Sequence, residues 1–142
     1  MRGGHERDAG RVSLFLAVAM TGMLTVIGLS FDGAGQLRSL QRADNLAAEA
    51  ARAGGQEIDR AAAIGGGGIT VDETAAEATI ISYINDVEGA ALIDVTFDTV
   101  AGGQDLTVAV SVTYDRYMLG LFGFSDTVTV RGEATALLRT EP

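Results

Sequence analysis

The chain has 142 residues, a formal net charge of -9 and no cysteine. That length holds one domain, and the missing thiols exclude disulfides, thiolate metal sites and cysteine nucleophiles. An acidic balance disfavours nucleic acid as a partner, because a phosphate backbone needs a basic footprint. Nineteen glycines stand against one proline, so flexible residues rather than rigid ones punctuate the fold.

Residues 1–11 are short and polar, with Arg2, Arg7 and Arg11 against Glu6 and Asp8, and read as a disordered cytoplasmic tail. Residues 12–31, VSLFLAVAMTGMLTVIGLSF, carry neither charge nor proline. About 20 residues at about 1.5 Å each cross a hydrocarbon core of about 30 Å. We therefore expect a single-pass transmembrane helix, marked by Val12, Phe15, Leu16, Met20, Leu24, Ile27 and Phe31. The arginines before it place the N-terminus on the cytoplasmic side and the rest of the chain outside. A cleaved secretory leader is the alternative, with Gly28 and Ser30 as its small residues; a buried helix of a soluble fold is less compatible with the length.

Residues 32–64 read as an extracytoplasmic helical stalk. Leu37, Leu40, Asp44, Ala47 and Ala51 share one line of a helix whose Ala, Leu, Gln, Glu and Arg are strong helix formers. The rod would run almost unbroken from the membrane, with Gly33 and Gly35 as possible hinges. Its alanines suit close helix packing or simply the covering of a sheet. Gly54 and Gly55 read as a left-handed C-cap. Gln56–Ile64 suggests a short helical piece, Gly65–Gly68 a connector and Ile69–Val71 a short strand.

Residues 65–142 read as an α+β extracytoplasmic domain. Asp72 is the expected N-cap of a helix reaching about Val87, with Ala76, Ile80, Tyr83, Ile84 and Val87 on its inner face. Alternation then predicts a strand over 93–99, with Ile93, Val95, Phe97 and Thr99 on the dry face, and a turn at 102–105. A second strand has Leu106, Val108, Val110, Val112 and Tyr114 inward, and a third has Val128, Val130, Gly132, Ala134, Ala136 and Leu138 inward. Between them lies an uncharged apolar connection, with Met118, Leu119, Leu121, Phe122 and Phe124. Such a loop is either tucked under the domain or laid on lipid or a partner.

No active site emerges from the residue inventory. The sole His5 sits in the tail, Gly65–Gly68 lacks the Gly-Lys-Ser/Thr of a phosphate loop, and Asp94, Asp98 and Asp105 lack calcium-loop spacing. Glu57 with Asp59 and Asp86 with Glu88 read as surface charge. No catalytic, metal or cofactor-binding residue is assigned, and no cofactor is expected.

Phe31-Asp32-Gly33 followed by LQRADNLAAEAARAG, residues 40–54, resembles the TadE/TadG-like pilus-assembly family of the Tad, or type IVc, pilus. The resemblance is carried by Asp32, Gln41, Asp44, Ala47, Ala48 and Ala51, and extends to the layout of tail, span, Ala-rich helix and Thr/Val-rich end closing in EATALLR. The Gly-rich, Lys-free style is similar to an actinobacterial member. Together these imply a pilin-like fold: a long N-terminal helix, one further helix and a three-stranded antiparallel sheet. They also imply a non-enzymatic pseudopilin-like protein of the cell surface, working in pilus assembly or secretion. Helix packing through Asp32, Leu37, Leu40, Gln41, Asp44, Ala47, Ala48 and Ala51 would join it to other pilus or secretion subunits, further copies of itself among them. Prepilin processing in the family uses a Gly with Glu at the fifth position beyond. Here Gly10 is followed by Phe15, and the family's proline within the span is missing. Both departures favour an uncleaved accessory protein resident in the membrane. The alternative from a different class is a membrane-tethered extracellular ligand-binding or sensor module, with the apolar loop as its capture site.

Overall fold

The computed structural model describes residues 5–65, 70–100 and 103–139. Its elements are the helices α1 (His5–Gly54), α2 (Arg60–Ile64) and α3 (Glu73–Asn85) and the strands β1 (Ala90–Val100), β2 (Gly103–Asp115) and β3 (Thr127–Arg139), with a 3-10 turn at Leu119–Phe122 between β2 and β3. The arrangement is α+β, as expected. The three strands form an antiparallel sheet in sequence order. One of its faces is covered by the outer half of α1 and by α3, and the other is left to solvent.

Fifty residues of α1 make one helix about 75 Å long, with no break at Gly33 or Gly35. His5–Arg11, expected as an irregular cap, are already helical, because nothing in their sequence stops a helix from propagating back from the apolar segment. The buried line of this helix differs from the one marked by Leu37 and Leu40. It runs through Gly28, Asp32, Ala43, Leu46, Ala47, Ala50, Ala51 and Gly54, which recur at helical spacing on one face. Leu37 and Leu40 face outward, at 63% and 37% exposure. Backbone proximity explains the inversion. A Cβ on Gly132 of β3 would stand 2.2 Å from the Ala43 carbonyl carbon and 2.3 Å from the Asp44 nitrogen, so helix and strand meet main chain to main chain. A larger side chain has no room at this point of contact, whereas Leu46 nearby is buried in the core.

Gly54 ends α1 for a related reason. Only Gly89 and Gly123 have left-handed backbones among the described residues, so the expected left-handed cap at Gly54 and Gly55 is not formed. A Cβ on Gly54 would instead come within 2.7 Å of Ile80 Cδ1. The segment beyond is tied down by polar bonds. Ile58 and Val71 form an isolated bridge, and the Asp59 carboxylate caps α2, accepting from Ala61 N at 2.9 Å and Ala62 N at 3.1 Å. The expected helical piece is thus only Arg60–Ile64. Gly66–Gly68 and Ile69 lie outside the described residues. Glu57 accepts from the Thr79 hydroxyl at 3.1 Å, so it braces α3 rather than only decorating the surface.

Helix α3 is capped by Asp72, which accepts from Ala75 N at 3.1 Å, and it ends at Asn85, two residues short of the expected limit. Ala76, Ile80 and Ile84 are fully buried against α1 and the sheet, with Tyr83 and Val87 at the margin. The Tyr83 hydroxyl donates to the Glu49 carboxylate, which raises the phenol's pKa.

In β1 a bulge shifts the register between Leu92 and Asp94. The expected dry face therefore fails at Ile93, which is the extra residue and is 45% exposed, while Leu92 takes the inward position. The Asp94 carboxylate accepts from Val95 N at 3.0 Å and stabilises this kink. Val95 and Phe97 pack on the core as expected, whereas Thr99 is exposed. Gly103, Gln104 and Asp105, expected in a turn, already belong to β2, and Gly102 lies outside the described residues. Gln104 is buried there, accepting from Val71 N at 3.2 Å and donating to Glu73 at 2.8 Å. The inward sets of β2 and β3 follow the alternation, with Leu106, Val108, Val110, Val112 and Val130 buried.

Two glycines separate backbone contact from mere helix propensity. Gly132→Ala is expected to destabilise the domain by about 1–3 kcal/mol through overpacking against α1. Gly33→Ala meets nothing within 4 Å and should stabilise by about 0.5–1 kcal/mol. Denaturant titration of the detergent-solubilised full chain, followed through the sheet signal, checks both signs.

Candidate functional site

The described residues include one helix long and apolar enough to cross a membrane, and this is α1. From Gly10 to Leu24 every residue is exposed, Phe15 at 74%, Leu16 at 55%, Met20 at 58% and Leu24 at 52%. Val12, Ile27 and Phe31 are likewise exposed, at 65%, 50% and 60%. An apolar surface of this size is incompatible with water and fits lipid or neighbouring helices.

Where the apolar helix meets the domain, Asp32 is 2% exposed and fully engaged. Its Oδ1 accepts from Tyr117 N at 3.1 Å and the Tyr114 hydroxyl at 3.4 Å; its Oδ2 accepts from Met118 N at 3.0 Å and Leu119 N at 2.6 Å. The carboxylate thus caps the 3-10 turn Leu119–Phe122 from another element, where Met118 supplies no cap of its own. Burial, the largest influence on Asp32, pushes its carboxyl pKa up, but the N–H donors of Leu119, Tyr117 and Met118 with the Tyr114 hydroxyl together hold it below the ordinary value of 3.8. Burial and the Asp32 charge raise the Tyr114 phenol.

Glycines on the same helix face admit this contact. A Cβ at Gly35 would lie 2.1 Å from the Tyr114 hydroxyl oxygen, and one at Gly28 would lie 3.1 Å from Met118 Cβ. Gly28, Asp32 and Gly35 stand four and three residues apart, which puts them on one face. That spacing is the signal in the sequence that points to the contact, although only the fold identifies Tyr114, Tyr117 and Met118 as its other side.

The connection is therefore not tucked under the domain. It is pinned against the apolar half of α1, with Met118 and Leu119 partly covered and Leu121, Phe122 and Phe124 exposed at 79%, 40% and 57%. Gly123 completes the turn in a left-handed conformation, φ 82°, and Arg116 N donates to Asp126 O at 2.7 Å across its neck.

The residues of the helix expected to pack divide into two sets. Asp32, Ala47 and Ala51 are buried within the chain's own domain. Leu37, Leu40, Gln41, Asp44 and Ala48 are exposed. Leu37 and Leu40, with Gly33, Gln36, Val130 and Arg131, line an open groove of about 460 Å³ along the helix. Among the described residues, no group of three or more His, Asp or Glu is placed to hold a metal ion.

Because the Asp32 pKa is lowered on folding, its contribution is fully present above the ordinary carboxylate value and is lost as pH falls below 3.8 through the depressed value. Hydrogen exchange at Tyr117, Met118 and Leu119 should report this as loss of protection confined to strongly acid pH. Asp32→Ala should reduce protection of those amides roughly tenfold or more at neutral pH and remove the acid transition.

No curated protein and no solved structure matches the chain. Residues 10–57, the apolar segment with the helix that continues from it, match the family described as Flp pilus-assembly TadE/G-like, which supports the placing of this chain with the Tad pilus-assembly proteins.

Proposed function

We propose that the chain is a non-enzymatic, membrane-anchored pseudopilin-like component of a Tad-type pilus assembly or secretion apparatus. Its N-terminus is cytoplasmic, its residues 12–31 span the membrane once, and its stalk and α+β domain stand on the extracytoplasmic face. It acts by helix packing and protein–protein contacts, with other pilus subunits or further copies of itself. The observation that carries this reading is the division of α1. One half is covered by its own sheet, while in the other every residue from Gly10 to Leu24 is exposed.

The groove beside Leu37 and Leu40 prolongs that apolar surface above the span and gives a second helix a place to lie. Gly10 with Phe15 instead of Glu supports an uncleaved, membrane-resident member. A leader cleaved after Ser30 would part α1 two residues before Asp32, beside the contact that holds the loop, which also favours retention of the span. In the ligand-binding alternative the apolar loop would be the capture site, yet Leu121 and Phe124 protrude instead of lining a cavity, which favours assembly.

The absence of native cysteine makes site-specific crosslinking direct. Leu37→Cys and Leu40→Cys, expressed with the complete apparatus, should trap a partner subunit or a second copy under mild oxidation or with a short bifunctional reagent. Ile81→Cys, exposed on α3 away from the groove, serves as the control. Equal trapping at all three sites, or none at Leu37 and Leu40, would count against the proposal.

A further inference from the structure

Resting on the single-span reading above, we propose that the connection Tyr117–Phe124 inserts into the outer leaflet beside the span, as a second lipid contact that seats the domain directly on the bilayer. Its depth follows from its attachment. Met118 packs on Gly28, with Phe122 beside it. Gly28 lies three residues inside Phe31, about 4.5 Å below the end of the uncharged segment. Asp32 holds Tyr117, Met118 and Leu119 at the level of that end. If residues 12–31 cross the membrane, the turn cannot stand clear of it without breaking this contact.

Backbone and side-chain chemistry agree with that depth. Lipid does not hydrate exposed N–H groups, so an inserted turn must satisfy its own. Tyr117, Met118 and Leu119 donate to Asp32, while Leu121, Gly123 and Phe124 donate to carbonyls of Met118, Gly120 and Leu119. From Tyr117 to Ser125 there is no charged residue, and the flanking Arg116 and Asp126 are joined main chain to main chain at the neck; a Cβ on Gly120 would stand 2.6 Å from an Asp126 carboxylate oxygen, so that charge lies against Gly120. Leu121 and Phe124 project outward, at 79% and 57% exposure. Tyr117, 68% exposed beside the neck, has the amphipathic ring that favours the headgroup level. Apolar tip and polar neck match an interfacial segment reaching about 5–10 Å into the headgroup and acyl boundary.

The chain has no tryptophan, so single substitutions give unambiguous depth probes. The full chain is reconstituted in phosphatidylcholine vesicles containing some phosphatidylglycerol, with the phosphatidylcholine brominated either near the headgroup or near the chain ends. Leu121→Trp and Phe124→Trp should emit at short wavelength and lose emission chiefly to the shallow quencher. Met20→Trp, in the middle of the span, should lose emission chiefly to the deep one. Ile64→Trp, 87% exposed on the domain, should lose none. Quenching of Met20→Trp while both loop tryptophans behave like Ile64→Trp would overturn the insertion and leave the span reading intact. Failure to quench Met20→Trp would overturn the span reading, and the insertion with it. Loop tryptophans shielded from both aqueous and lipid quenchers would assign the tip to a protein partner, which also overturns the proposal.

Discussion

A buried carboxylate determines how this molecule is joined. Asp32 stands at the first charged position after the apolar half of α1, and it accepts three backbone N–H groups and a phenol from the connection between β2 and β3. Without that carboxylate, the 3-10 turn would have unpaired donors at its start; without the turn, a charged group would be buried beside an apolar helix. Each solves the other's desolvation problem. Because the pair lies where the apolar helix enters the domain, it ties the connection between β2 and β3 to that helix.

The same economy of space governs the seam above it. Small residues on α1 let β3 approach until main chains touch at Gly132, and Ile80 and Leu106 fill the room at Gly54. This close approach lets a three-stranded sheet and one short helix enclose a core that has no Trp and few aromatic side chains. The sheet's outer face remains polar, with the Thr107 and Thr135 hydroxyls paired at 2.8 Å and Arg131 bridged to Glu133 at 3.2 Å. Apolar exposure is concentrated instead on the free half of α1, the groove along Leu37 and Leu40, and the protruding turn. The apolar helix and the Tad-like match over residues 10–57 fit a pilus-assembly component.

Several elements were legible from pattern alone. An uncharged run of this length specifies an apolar helix, and strict alternation in β2 and β3 specifies which residues face inward, because a strand's period of two leaves no choice of face. The α3 face and its Asp72 cap follow from helical period and capping chemistry in the same way. Ile93 was misassigned because a bulge adds one residue to one strand, and alternation within that strand contains no record of its partner's register. Which line of α1 its own sheet covers was not legible, because Leu37 and Leu40, which stay exposed, are more hydrophobic than the buried Ala43 and Gly54. Burial there is selected by distance between backbones, a quantity that hydrophobicity does not encode.

The sequence by itself determined the long apolar helix, the sheet's inner face and the existence of an uncharged loop, since each depends on periodicity or composition within one segment. Only the tertiary structure decided that this loop lies against the end of the apolar helix, that Asp32 caps it, and that Gly28, Gly35 and Gly132 are places of contact. Asp32 and Leu119 are 87 residues apart in the chain, and no local pattern specifies a hydrogen bond across that separation. It forms because the register of β2 and β3 and the close packing of β3 on α1 bring unpaired amides to a carboxylate that has no water to turn to.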